Sequence, residues 1–266
     1  MLRKSIPVLF GVAVALCNVA PAWAQSSLGT AQSYAVLGGS TVTNTGATTL
    51  AGDLGVSPGS AVTGFPPGTL TGTIHAGDAA ALQAQNDLTT QYNALTSASC
   101  TADLTGQDLG GKTLTPGVYC FSSSAQLTGA LVLNAQGNAN ATFVFKTGST
   151  LTTASSSSVS VINGGNPCGV AWQIGSSATL GTNTTFVGTL IALTSITLNT
   201  GATITGRALA RNGATTLDTN TISFSSCNVG GATPPPAVPA LSTWALIALI
   251  GLLGLAGVTM LRRRSL

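Results

Sequence analysis

Hydrophobic positions along this chain recur with a period. Leu114, Leu133, Leu151, Leu180, Leu198 and Leu217 each sit in a similar setting, usually directly after a Thr, at gaps of 19, 18, 29, 18 and 19 residues. The gap of 29 reads as one repeat carrying an insertion of eleven residues around Gly164 to Gly169. A repeat this short, rich in Thr, Val, Ile and Gly and without helical periodicity, predicts an all-β solenoid with one β-helix coil per repeat. Coils are expected from about Leu109 to Phe224, and Tyr34 to Val56 reads as an isolated first coil followed by a loop at Pro58, Pro66 and Pro67.

One segment departs from this pattern. Between residues 75 and 98, Ala81, Leu88, Tyr92 and Leu95 fall near one helical face, while Asp78, Gln83, Asn86, Asp87 and Gln91 lie mostly elsewhere. The spacing predicts a single long helix, whose apolar stripe must pack on the solenoid flank; left uncovered, that flank would be an aggregation-prone apolar strip.

Side chains alternate across a strand, so an interior Leu places its predecessor outside. Aligned on the repeating Leu, that outward column reads Thr49, Thr113, Val132, Thr150, Thr179, Thr197 and Thr216. A second column, two residues after the Leu, holds Thr153, Thr182, Thr200 and Thr219; a third, four before it, holds Thr147, Ser176 and Thr194, with Asn212 displaced by one. Coils repeat at about 4.8 Å and alternate residues lie about 6.6 Å apart, so such columns form a regular grid of methyls and hydroxyls. Threonine is β-branched and stiff, and the grid is ordered before any ligand arrives. It suits a ligand that is itself a lattice of water.

Charge narrows the choice further. The net charge of +3 comes from the termini: between Gln25 and Pro239 the basic residues are Lys112, Lys146, Arg207 and Arg211, against six Asp and no Glu. No basic stripe exists to neutralise phosphates, which argues against nucleic acid. The scattered Asp53, Asp78, Asp87, Asp103, Asp108 and Asp218 offer no converging pair for hydrolysis, so no catalytic residues, metal or cofactor are assigned. His75, the one histidine, reads as a structural residue at the start of the helix. Trp172 reads as core, and Arg207 and Arg211 as partners of Asp218 or of a carbonyl.

Residues 1–24 read as a secretory signal: Arg3 and Lys4, an apolar run from Ile6 to Val19, and a small-x-small site at Ala22-Trp23-Ala24. Cys100, Cys120, Cys168 and Cys227 then remain, an even number in an exported chain, and disulfides are the default. Three connectivities are open; Cys100–Cys120, bracketing a short loop, is favoured and leaves Cys168 with Cys227. The second pair is strained in a strictly sequential stack, where three coils span about 14 Å. Residues 230–240 form a Pro-rich linker, and residues 241–266 an apolar span closed by Arg262, Arg263 and Arg264. This end resembles the IPTL-type protein-sorting tail of Gram-negative bacteria, with Val238 to Trp244 as its motif, Ala245 where a Gly is usual, and first and third motif positions that depart from the family wording. The resemblance implies membrane attachment before processing, a sorting protease as partner, and display or release at the cell surface; the plain alternative is a tail anchor.

Residues 171–188, 193–203 and 206–214, with Leu109 to Tyr119 and Tyr34 to Ser40, resemble the microbial ice-binding family over nearly all of residues 28–227. The resemblance implies a right-handed β-helix of triangular section, one long helix alongside, and a discontinuous stack in which the first coil packs on the last. It implies an ice crystal surface as partner and a face carrying Thr-Ala/Gly-x-Thr/Asn patterns, which fit Thr147 to Thr150 and Thr200 to Thr203, and loosely Thr194 to Thr197 and Asn212 to Thr215. The candidate ice-binding residues are therefore Thr147, Thr150, Thr179, Thr182, Thr194, Thr197, Thr200, Thr203, Asn212 and Thr215, in a domain spanning 25–229. The competing reading is a surface adhesin or passive structural solenoid.

Overall fold

In a computed structural model, residues 28–224 are described; the signal segment, Cys227, the linker and the tail lie outside them. The chain winds through three parallel ladders in turn. Face A stacks Gly117–Phe121, Phe143–Thr147, Val170–Ile174, residues 189–192 and residues 207–210. Face B is a seven-stranded sheet of Ala125–Leu127, Leu151–Thr153, Ala178–Leu180, Ile196–Leu198, Thr215–Asp218, Thr41–Thr45 and Ala61–Thr63, in that spatial order. Face C stacks Thr113–Leu114, Ala130–Asn134, Ser158–Ile162, residues 185–187, residues 203–205 and Thr221–Ser223.

The spatial order does not follow the sequence. Tyr34–Gly38 pairs with Thr203–Ala210, Thr41–Thr45 with Thr215–Asp218, and Thr49–Ala51 with Thr221–Ser223. The first coil thus lies on the last, as the family resemblance implies, and residues 53–76 continue the stack beyond it.

The repeating leucines do not form one column. Leu114 and Leu133 pair on face C, whereas Leu151, Leu180 and Leu198 are interior positions of face B. The eighteen-residue step from Leu133 to Leu151 therefore changes face and conceals a second insertion. True coil lengths follow from the register: Phe143 lies on Gly117 and Val170 on Phe143, steps of 26 and 27, while Thr189 lies on Ala171 and Arg207 on Thr189, steps of 18. The surplus occupies residues 135–142 and 163–169, both between faces C and A. The later coils cross that corner through a single residue, Gly188 or Gly206, within one strand.

Aromatic contacts from Tyr119 through Phe145 and Trp172 to Phe186 fill part of the interior. Trp172 is fully buried, lies on Phe145 at 3.9 Å between ring centroids, and donates from Nε1 to the Val187 carbonyl at 3.0 Å. Face A is covered by the helix Ala79–Ser97, shorter at its start than the sequence suggests. His75 is not on it: it belongs to the strand Ile74–Ala76, opposite Gly55, and its Nδ1 contacts Asp78 Oδ2 at 2.8 Å. Asp78 is the N-cap, accepting from the Ala81 N–H. Ala84, Leu88, Tyr92 and Leu95 bury against Tyr34, Leu37, Val144, Ala171, Ile191 and Leu209, each full Leu burial contributing about 1.5–3 kcal/mol. Gln91, placed by periodicity mostly off this face, is buried as well. Cys100, just beyond the helix, is disulfide-bonded to Cys120 on face A. Cys168 is also disulfide-bonded; its expected partner Cys227 lies outside the described residues. Among the described residues no helix is long and apolar enough to cross a membrane.

Two predictions follow from this packing. A Cβ at Gly206, where φ is +149°, would stand 2.0 Å from the Gly188 carbonyl oxygen, so Gly206→Ala is expected to cost about 3 kcal/mol or more and lower Tm by roughly 6–12 °C in a thermal melt. The second concerns Asp87, which accepts from the Thr30 backbone N–H and hydroxyl and from Gln83, tying the turn Gly29–Ser33 to the helix. The Thr30 N–H first, then its hydroxyl, hold this carboxyl below its ordinary 3.8. A depressed carboxyl stabilises the fold above its unfolded pKa, and that contribution fades as pH falls through the lower folded value. Asp87→Asn should flatten the acid limb of stability below about pH 4 in pH-dependent melts, leaving the neutral limb parallel to the unaltered protein.

Candidate functional site

Alternation on face B turns Leu151, Leu180, Leu198 and Leu217 inward, all essentially unexposed. The register then aligns Gln126, Thr152, Thr179, Thr197, Thr216, Thr43 and Thr63 in one outward column. Six consecutive ranks are Thr, spaced by the ladder repeat of about 4.8 Å. Thr43 donates to the Thr216 hydroxyl at 3.4 Å, so the column continues across the junction of first and last coils.

A second column on the same face, two residues earlier, runs Ser124, Thr150, Ser177, Ser195, Ala214, Thr41 and Ala61. Its hydroxyls are partly engaged: Thr150 donates to Ser124, while the Ser177 and Ser195 oxygens accept the backbone N–H groups of Ser195 and Ala214. Face C carries a parallel array of Ala130, Ser158, Thr185, Thr203, Thr221, Thr49 and Thr69. Between faces B and C the corner is closed by buried polar side chains. Ser157 donates to the Leu127 carbonyl, the Thr153 and Thr184 hydroxyls meet at 2.9 Å, and Asn220 donates to the carbonyls of Asn199 and Ala202.

This geometry sorts the sequence-derived candidates. Thr150, Thr179 and Thr197 stand on face B and Thr203 on face C, whereas Thr182, Thr194, Thr200 and Asn212 lie in the turns between strands. Two must be corrected. Thr147 and Thr215 are 2% and 0% exposed and point into the interior, Thr215 donating to the Leu37 carbonyl, so neither can touch a macroscopic ligand. Thr153, from the second sequence column, is interior for the same reason. The first sequence column mixed faces: Thr49, Thr113 and Val132 are on face C. Thr43, Thr63, Thr152 and Thr216 complete the column without being among the sequence-derived candidates, although Thr216 stands in the first sequence column; for Thr43 the alternation Thr41-Val42-Thr43-Asn44-Thr45 is the available signal.

Among the described residues, basic side chains avoid face B. Lys146, Arg207 and Arg211 all bind beside face A, donating to the Ala98 carbonyl, the Gln32 carbonyl and the Thr89 hydroxyl, and Lys112 pairs with Gln107. Arg207 takes a carbonyl, as one of its two expected partners. Asp218, at one end of face B, accepts from the Thr200 and Thr219 hydroxyls. The other five Asp likewise accept from backbone N–H groups of turns or of the helix start. A cavity of about 600 Å³ between the end of the helix and the Cys100–Cys120 bond is lined by Lys146, Gln173 and one carboxylate, Asp103, which is already bonded to Thr105.

The profile of the family described as Ice-binding-like matches residues 36–223. An ice-binding protein of Nostoc sp. (strain HG1) is 62% identical over 199 residues, covering 74% of each chain. Among solved structures, an ice-binding protein from an Antarctic biological consortium superposes with a TM-score of 0.72 at 45% identity, covering 83% of this chain and 96% of that one. One from the Antarctic ascomycete Antarctomyces psychrotrophicus gives a TM-score of 0.72 at 42% identity, covering 74% and 97%.

The interior placement of two Thr candidates can be checked directly. The Thr147 hydroxyl is buried without a partner, so near-isosteric Thr147→Val is expected to raise stability by about 1 kcal/mol. Thr215→Val removes a made hydrogen bond and should lower it by about 1 kcal/mol. Denaturant melts of the two variants should move in opposite directions.

Proposed function

The chain belongs to the Ice-binding-like family, and from that premise we propose that it binds ice through face B. The observation that carries this reading is the column of six Thr ranks from Thr152 to Thr63 on a face without Lys or Arg. The hydroxyls anchor water at a fixed spacing, and the methyls between them discourage competing hydration. Flanking strands and inward Leu hold each Thr in place, so little ordering remains to be paid on adsorption. Bound molecules pin the advancing ice front, and growth between them requires a curved surface of higher free energy, which stops growth and recrystallisation. This function needs no catalysis, cofactor or metal.

We further infer that the coils wind right-handed in a triangular section, the hand that parallel crossovers favour. Residues 1–24 would direct export and residues 241–266 would hold the chain in the inner membrane until a sorting protease removes them. The Cys100–Cys120 bond supports an oxidising destination.

Recombinant protein with Thr197→Tyr, which lifts a ring out of the centre of face B, is expected to lose ice adsorption and recrystallisation inhibition with an unchanged melt. Thr203→Tyr, on face C, should retain most of both. Loss in Thr203→Tyr with retention in Thr197→Tyr would move the binding surface to face C.

A further inference from the structure

The Thr column of face B is assembled from two parts of the chain. Thr152, Thr179, Thr197 and Thr216 come from the continuous coils, and Thr43 and Thr63 from the amino-terminal coils laid on top of them. Between Thr216 and Thr43 the chain separation is 173 residues, so no local turn geometry sets how the two parts align. A lateral slip of one residue there would turn the amino-terminal Thr residues inward.

Buried polar groups hold this junction at both ends of the face B strands. At the end next to face A, Gln85 reaches from the helix and donates from one Nε2 to two carbonyls, Gly38 and Ala210, each at 3.0 Å. Gly38 ends the face A strand of the amino-terminal coil and Ala210 ends that of the last coil. At the end next to face C, Asn220 spans three levels. Its Nδ2 donates to Asn199 and Ala202 in the coil below, its Oδ1 accepts from the Asp218 N–H within its own coil, and its backbone N–H donates to the Thr48 hydroxyl above. Both side chains are buried, at 8% and 1% exposure. Gln85 sits beside Ala81, Ala84 and Leu88 on the buried helix face, where periodicity alone would place a hydrophobic residue. A buried amide is retained at some cost to packing, and the two donors of Gln85 match two carbonyls that belong to different parts of the stack.

Building on the ice-binding reading, we propose that Gln85 is a positioning residue for ice: it fixes the register and height of Thr43 and Thr63 relative to Thr216, making six ranks of Thr one lattice instead of a four-rank and a two-rank patch. Gln85 itself does not touch the ligand. Adsorption to a crystal depends on simultaneous engagement of all ranks, so a small misalignment at the junction removes the contribution of the amino-terminal ranks altogether.

The test compares Gln85→Met, nearly isosteric but without donors, with Leu95→Val, ten residues further along the same helix and about 15 Å away. Leu95→Val loosens helix packing without touching the junction. Thermal melts are used to choose a temperature at which both variants are fully folded. Recrystallisation inhibition is then read by endpoint dilution, and the planes coated by fluorescently labelled protein are read on a single-crystal ice hemisphere. The expected result is a roughly tenfold weaker endpoint and an altered plane pattern for Gln85→Met, with Leu95→Val close to the unaltered protein. Equal behaviour of the two variants would overturn the positioning role. Should Gln85→Met fail to fold, Gln85→Asn, which keeps the amide but is one methylene too short to reach the Gly38 and Ala210 carbonyls, takes its place with the same two outcomes. Absence of adsorption by the unaltered protein is a separate result: it would overturn the ice reading itself, and the positioning role with it.

Discussion

The domain depends on a junction that the sequence does not make continuous. Residues 34–51 lie on residues 203–223 through parallel pairing on all three faces, and the core, the helix seat and the Thr array all cross this boundary. Local contacts cannot form it, so the chain must close a long loop before any of its energy is gained. Several buried polar side chains serve this junction. Gln85, Asn220, Thr215 and Arg207 all sit there, each bonded to backbone across or beside the junction. Arg207 illustrates the cost: burial pulls its guanidinium down to about 10, and in place of a carboxylate it has the Gln32 carbonyl and the Phe224 ring, 4.1 Å from Cζ. Directional bonds of this kind fix one alignment where hydrophobic contact alone would tolerate several.

Much of the fold is legible in the residues. The helix face Ala81, Leu88, Tyr92 and Leu95 is stated by periodicity, and its seat on the solenoid flank follows from the need to cover it. The Cys100–Cys120 bond follows from spacing, and Trp172 in the core from its surroundings of Val and Ile. What the residues conceal is which face each repeat belongs to. Period-two alternation makes inside and outside interchangeable under a one-residue slip, and the corners of this solenoid vary in length. Leu133 and Leu151 keep the eighteen-residue step while changing face, and the surplus of residues 135–142 is hidden inside that step. Thr147 and Thr215 stand an even number of residues from an inward Leu, so alternation alone already turns them inside; they are candidates through the four-residue Thr pattern that the resemblance implies. Thr43 and Thr63 escaped because their neighbours in space are far away in the chain. The helix starts later than the spacing suggests for a local reason: Ile74–Ala76 extends the ladder on Asp53–Val56, and Gly77 and the Asp78 cap begin the helix after it.

The functional reading rests on what face B lacks as much as on what it carries. The basic side chains are engaged elsewhere, and each Asp is consumed by a cap, a turn or a neighbouring hydroxyl. What remains outward is a surface of stiff, small, weakly hydrated groups at the ladder repeat. Such a surface is poor at holding a small molecule, which needs concavity, and well matched to a flat periodic solid. Its precision is inherited from the interior, where Leu ranks and the ladder of Ser157, Thr184 and Asn220 keep the strands of the face at one height.

The most direct measurement is growth of a single-crystal ice hemisphere from a micromolar solution of the fluorescently labelled protein, with its disulfides intact. The account predicts that fluorescence enters the ice in discrete, symmetry-related patches, because a flat array of fixed spacing matches particular lattice planes. Ice that grows clear, with the folded protein left in the liquid, would contradict it.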